Sequence, residues 1–107
     1  MIIIDAKPEA HVIDARTVRI SWKNIEPQEK KFIYALQLKY KMKNEAEDKW
    51  ITTPMIHRDV TSYFLHDLEP LADYIVEMMF TPPKDLPTKI VSTKMLEFKT
   101  PGKIKGN

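Results

Sequence analysis

The strongest constraint on the fold of this chain is a run of alternating apolar and polar residues in its first half. Apolar Leu36, Leu38, Tyr40 and Met42 alternate there with polar Gln37, Lys39, Lys41 and Lys43. A period of two residues is that of a β-strand with one buried face and one solvated face. The run therefore predicts a strand whose apolar side chains enter a core and whose lysines lie in water.

The rest of the chain repeats this pattern in short pieces. Val18, Ile20 and Trp22 alternate with polar residues, and further strand-like stretches cover residues 11–13, 50–53, 61–65 and 90–100. Polar or charged turns separate them at residues 26–31 and 44–49, and three prolines in residues 81–87 exclude a helix or a central strand there. Six or seven short strands separated by turn signals are typical of an all-β sandwich.

Residues 67–80, with the sequence DLEPLADYIVEMMF, fit two periods at once. One stripe of an amphipathic helix would contain Leu68, Leu71, Ala72, Ile75, Val76 and Met79. A half-buried strand would instead place Tyr74, Val76, Met78 and Phe80 on one face. The hydrophobic pattern of this segment leaves both interpretations open.

Composition narrows the class of protein. A chain of 107 residues is expected to form one domain, and its formal net charge of +2 is too small to indicate a nucleic-acid partner. No apolar run approaches the roughly 18 residues of a membrane span, so we expect no membrane insertion by this chain. The absence of cysteine excludes a disulfide framework and any thiolate metal site.

The histidines and loops of the sequence carry no catalytic motif. His11, His57 and His66 have no metal-ligand spacing, and the sequence has no nucleophile elbow, phosphate-binding loop or dinucleotide fingerprint. We therefore expect no enzyme activity, no metal and no cofactor.

Four segments, in order, resemble the fibronectin type III domain over about Lys7 to Thr100. Val18-x-Ile20-x-Trp22 resembles the family's strand B, and Leu36-x-Leu38-x-Tyr40 resembles strand C. Leu68-x-Pro70-x-x-x-Tyr74-x-Val76 resembles the corner between strands E and F, and Phe98-x-Thr100 the end of strand G. The chain departs from the family at Leu36, where a tyrosine is usual, and at Leu71 and Ala72, where small residues often follow the proline.

This resemblance implies an all-β, immunoglobulin-like β-sandwich of seven strands with fibronectin type III topology. The domain would span residues 1–101, and residues 102–107 would be a C-terminal linker or tail. It also decides between the two periods, because a strand beginning at Tyr74 would follow a corner tied down by the Tyr74 hydroxyl. The expected core residues are Trp22, Leu36, Leu38, Tyr40, Leu68, Pro70, Tyr74, Val76 and Phe98.

The resemblance further implies a candidate contact face, since the family pairs strands C, F and G in one sheet. Ile75, Met79 and Met95 would then form an exposed apolar cluster, flanked by Lys39, Lys41, Glu77 and Glu97. An apolar centre with a charged rim is the composition of a protein contact surface. The plainer alternative is that scattered exposed apolar residues are normal on any protein. Lysines in this region could attract heparin-like polyanions, but Glu and Asp are interleaved with them.

The function implied by the resemblance is a noncatalytic protein-interaction and spacer module. We expect it to be one domain of a multidomain cell-surface receptor or adhesion protein, in an extracellular setting, with a protein partner. The alternative is a structural module of an intracellular filament or scaffold protein, and a less favoured one is a noncatalytic module attached to an enzyme. No Arg-Gly-Asp triplet is present, and we expect the isolated domain to be monomeric.

Overall fold

The computed structural model describes residues 1–92 and 94–102, and it confirms an all-β sandwich. The strands, numbered in chain order, are β1 Ile2–Ile4, β2 Glu9–Asp14, β3 Thr17–Ser21, β4 Ala35–Met42, β5 Ile51–Thr52, β6 Ile56–His57, β7 Ser62–Leu65, β8 Asp73–Thr81, β9 Ile90–Ser92 and β10 Leu96–Lys99. One turn of α-helix spans Pro27–Lys30, and a 3-10 helix spans Glu47–Lys49. Over the described residues, no helix is long and apolar enough to cross a membrane.

Two antiparallel sheets form the sandwich. One has the strand order β2-β3-β7, and the other has the order β10-β8-β4-β5, with β6 also paired to β4. Strand β1 pairs in parallel with β9, which lies beside β8. Strands β2 and β10 adjoin along one side of the sandwich, so β7 and β5 are the edge strands on the opposite side.

The described chain has ten strand segments where seven strands were expected. Two of the extra segments arise from interruptions: Pro54 lies between β5 and β6, which both pair with β4, and the closing strand is divided into β9 and β10. The third is β1, which sequence patterns did not predict, because three consecutive isoleucines show no alternation.

The core lies between the inner faces of the two sheets. Leu36, Leu38, Leu68, Tyr74, Val76 and Trp22 are all buried, together with Ile20, Ile33 and Leu65. Trp22 follows the end of β3, and its indole Nε1 donates a hydrogen bond to the Val60 carbonyl at 3.0 Å. Tyr40 and Phe98 are only partly buried and pack against the margin of the core, and Pro70 is half-buried in the turn.

The corner between β7 and β8 decides the two-period segment in favour of a strand. Asp67 and Leu71 adopt left-handed backbone conformations, with φ of 59° and 53°, which no helix contains. The Tyr74 hydroxyl accepts a hydrogen bond from the Glu69 amide at 2.8 Å. The alternative of a helical stripe is therefore wrong, and β8 runs as a strand from Asp73 to Thr81.

Thr100 completes the corner from the last strand. Its hydroxyl donates to the Glu69 carbonyl at 2.6 Å and accepts from the Ala72 amide at 2.9 Å. Its own amide donates to the Ala72 carbonyl at 2.9 Å, and the residue is fully buried. These bonds attach the corner to the end of β10 as well as to Tyr74.

The Tyr74 hydroxyl should contribute much less to stability than the Tyr74 ring. We expect Tyr74→Phe to lower the free energy of unfolding by about 1 kcal/mol, the net value of one hydrogen bond. Tyr74→Ala should cost about 3 to 5 kcal/mol, because it removes a buried ring. Urea unfolding measures both, with Tyr34→Phe as the control since Tyr34 is exposed. Equal losses for the Phe and Ala variants would contradict this division.

The two tryptophans should differ in the same way. Trp22→Ala should lower the free energy of unfolding by about 3 to 5 kcal/mol, because the ring is buried in the core. Trp50→Ala should cost no more than about 1 kcal/mol, because Trp50 is half-buried at the surface, where its ring lies under two lysine ammonium groups. The same urea titration compares them, and a Trp50 variant as unstable as the Trp22 variant would refute this assignment.

Candidate protein-contact face

The candidate contact face is the outer surface of the sheet formed by β10, β8 and β4. Antiparallel register aligns its side chains in rows across the strands. One row contains Glu97, Ile75 and Lys41. The next rows pair Glu77 with Lys39 and Met79 with Gln37. These residues point outward because their neighbours in β8, including Tyr74, Val76 and Met78, are buried.

The apolar part of this face is divided by a charge. Ile75 and Met79 are both half-buried, and Glu77 lies between them on the same side of β8. Four residues of strand separate Ile75 from Met79 by about 13 Å. The face therefore presents two apolar positions on either side of a carboxylate.

Met95 lies elsewhere than expected. It is 56 % exposed and precedes the first residue of β10, so it is outside the paired strand. It lines a groove together with Lys7, Pro8 and Glu9, which belong to the start of β2 and the segment before it. The expected exposed cluster of Ile75, Met79 and Met95 therefore does not form: Ile75, Glu77 and Met79 share the outer side of β8, and Met95 lies at the adjoining side of the sandwich.

Lys41 was expected as a free charge on the rim, and this expectation is wrong. The residue is only 6 % exposed although it lies on the outer face of β4. Its ammonium group donates to the carbonyls of Lys43 at 3.2 Å and Glu45 at 2.9 Å. The turn after β4 folds back to provide these acceptors, so Lys41 stabilises the turn and is not available to a partner.

Trp50 is the feature of this face that sequence reasoning missed. Its ring lies under two ammonium groups, with Lys39 Nζ 4.6 Å and Lys41 Nζ 5.3 Å from the ring centroid. The indole Nε1 donates to Glu47 of the 3-10 helix, which orients the ring. A tryptophan directly after a charged turn was the available signal, because an exposed aromatic beside a lysine strand favours cation–π contacts.

Ion pairs neutralise most of the remaining charge. Lys39 Nζ lies 3.5 Å from Glu77, and Lys43 Nζ lies 2.7 Å from Glu97. The hydrogen bond and the charge of Glu97 raise the pKa of the Lys43 ammonium group. On the inner side of the same strand, burial raises the pKa of the Tyr40 hydroxyl. Lys39 and Lys43 are thus each paired with a carboxylate of the same face.

Histidines and carboxylates do not cluster in the part of the chain that the structure describes. Among the described residues, no three His, Asp or Glu side chains are grouped closely enough to hold a metal ion. The closest His–carboxylate contacts are exposed pairs, His11 with Glu9 at 3.7 Å and His57 with Asp59 at 3.8 Å.

Comparisons with known proteins identify the fold. No family model matches the chain, and no curated protein matches it in sequence. The structure of an fn3 domain of human contactin 1 superimposes with a TM-score of 0.71 at 14 % identity, covering 94 % of this chain and 79 % of that one. The third fibronectin III domain of human KIAA0343 protein gives 0.72 at 11 % identity, covering 100 % and 89 %. An FN3 domain of human collagen XX gives 0.69 at 10 % identity, covering 94 % and 92 %. With these neighbours and the tyrosine corner, the chain has the fibronectin type III fold.

Proposed function

We propose that this domain is a noncatalytic interaction and spacer module of a multidomain cell-surface receptor or adhesion protein. The observation that carries the spacer part of the proposal is the position of the two ends of the fold. Ile2 pairs with Ile90 beside the far end of β8, whereas Lys99 pairs with Asp73 at the beginning of β8. The chain therefore enters at one end of the sandwich and leaves at the opposite end, and the fold measures 53 × 27 × 20 Å. A module built in this way adds length between whatever precedes and follows it.

The interaction part of the proposal rests on the outer face of β10, β8 and β4. Its contact residues are Ile75 and Met79, with Glu77, Lys39 and Glu97 around them and Trp50 at the β5 side. An aromatic and two apolar positions within a frame of paired charges resemble the centre and rim of a transient protein interface. Because Lys39 and Glu77 are paired with each other, a partner would need to satisfy both or leave the pair intact.

The extracellular setting is supported by the contactin 1 and collagen XX domains among the similar structures. The intracellular filament or scaffold alternative is favoured only by the missing cysteines and glycosylation sequons. The flanking sequence of the parent chain would distinguish the extracellular setting from the intracellular one.

We further propose that the domain ends at Pro101, after the last strand, where the Pro101 carbonyl accepts a hydrogen bond from the Leu71 amide. The predicted tail, residues 102–107, falls largely outside the described residues.

The face should lose its partner when its two apolar positions become charged. We expect Ile75→Glu with Met79→Lys to abolish capture of a cell-surface protein by the immobilised domain. The urea concentration at the midpoint of unfolding should stay close to that of the unchanged domain. The reason is that both side chains are half-buried on the outer face and make no part of the core. Capture is measured from a surface-labelled membrane extract by quantitative mass spectrometry.

The control for this experiment lies on the opposite sheet. Arg19→Glu changes charge on the outer side of β3 and should leave capture unchanged. Capture that survives the double substitution, or that is lost equally in the Arg19 variant, would refute the proposed face. Partners found only in a cytosolic extract would instead favour the intracellular alternative.

A further inference from the structure

The edges of the sheets differ in how well they are protected against pairing with another strand. Strand β2 has Pro8 before it, a register shift between Val12 and Asp14, and acidic residues at both ends. Strand β5 has only two residues and is followed by Pro54, and β10 carries Glu97 and Lys99. Prolines, bulges, charges and short length are the devices by which proteins prevent edge-to-edge association. Strand β1 is likewise short, at three residues, and Asp5 follows it.

Strand β7 is also short, but it lacks the prolines, bulges and charges that protect the other edges. Its four residues, Ser62 to Leu65, carry no charge and no proline, and their pairing with β3 is continuous. Phe64 is 46 % exposed on the outer face and stacks on His66 with ring centroids 6.0 Å apart. The edge is therefore regular, neutral and partly apolar.

The hydrogen-bond pattern shows which backbone groups of β7 face outward. The Trp22 amide donates to the Thr61 carbonyl at 2.9 Å, which makes residues 22 and 61 a hydrogen-bonded position of the ladder. Positions alternate along an antiparallel pair, so Tyr63 and Leu65 also bond to β3. The amides and carbonyls of Ser62 and Phe64 consequently point away from β3, to a side where the described residues place no further strand.

We propose that a second copy of this chain pairs with the free edge of β7, in place of the purely monomeric domain expected from the sequence. Two β7 strands run antiparallel about a twofold axis at Tyr63, so that Ser62 of each copy bonds to Phe64 of the other. The two three-stranded sheets then form one continuous sheet. Such a twofold contact is self-complementary, as closed dimers require.

The edge of β7 is compatible with itself: a second copy brings no charge against it and places a second exposed Phe64 ring beside the first. The pairing opposes no like charges along the strand, because Ser62, Tyr63, Phe64 and Leu65 are all neutral. The nearest acidic residues do not extend the paired edge. The backbone turns at Asp67, where φ is 59°, and the Asp59 carboxylate is paired with Lys30 at 2.8 Å. Diagonal neighbours in such a ladder are about 7 to 8 Å apart, which lets the two Phe64 rings meet on the outer face.

The contact should be weak, because four paired residues per copy form an interface well below about 1,200 Å². We expect dimerisation with a Kd of about 0.1 to 1 mM, measured by sedimentation equilibrium across a concentration series of the whole chain. Phe64→Lys should raise that Kd at least about tenfold, because it places a charge at the edge and removes the ring contact. Ser62→Pro should have the same effect, because it removes an amide that points away from β3 and no amide that bonds to β3. Circular dichroism checks that this variant keeps its fold.

Ile51→Lys is the matched control, since Ile51 is 55 % exposed on β5, the edge of the other sheet on the same side of the sandwich. Its Kd should stay within about twofold of the parent chain. A chain that remains monomeric at 2 mM would overturn the proposal, and so would a dimer that persists in Phe64→Lys. A dimer lost in Ile51→Lys but not in Phe64→Lys would place the contact on β5 and equally overturn it. The proposal does not depend on the partner of the β10-β8-β4 face, because the edge belongs to the other sheet.

Discussion

The placement of the longest strand depends on the hydrogen bonds that close the corner between the two sheets. The Tyr74 hydroxyl holds the Glu69 amide, and the Thr100 hydroxyl holds the Glu69 carbonyl and the Ala72 amide. Backbone groups at a crossing between sheets have no ladder partner, and a buried unpaired group costs about 1 to 3 kcal/mol. Two side-chain hydroxyls supply the missing partners and thereby fix where β8 begins. That starting point sets its register against β4 and β10, since one residue of slip would exchange the buried and exposed faces of the longest strand.

Sequence patterns could predict the parts of this fold that are periodic. The alternation around Leu38 identified β4, whereas the corner at Leu68, Pro70 and Tyr74 was predicted only through the resemblance to the fibronectin type III domain, because helix periodicity fits the same residues. Strand β1 was not predicted, because a parallel strand of three isoleucines shows no alternation and its partner β9 is far along the chain. The number of strand segments was not predicted either. Pro54 divides one strand into β5 and β6, although both segments pair with the same neighbour, β4.

The candidate face was harder to predict, and Lys41 shows why. Alternation correctly placed this lysine on the outer side of β4, but alternation describes only the direction in which a side chain leaves the backbone. Whether the ammonium group reaches water depends on the turn that follows, which carries two carbonyl acceptors and Trp50 to it. Such contacts depend on the path of a loop, and no local pattern in residues 43 to 50 specifies that path. The same reasoning applies to Met95, whose position follows from where β10 begins.

The two proposed surfaces can act together because they belong to different sheets and point in different directions. The outer face of β10, β8 and β4 points along the normal to its sheet, whereas the free edge of β7 points sideways, in the plane of the other sheet. Edge pairing therefore leaves Ile75, Glu77 and Met79 uncovered in both copies. A dimer joined at β7 would present two such faces, and a partner with two matching sites would bind with an effective concentration set by their spacing. Weak self-association would then strengthen weak recognition, which gives an unprotected edge a use in a chain that protects its other edges.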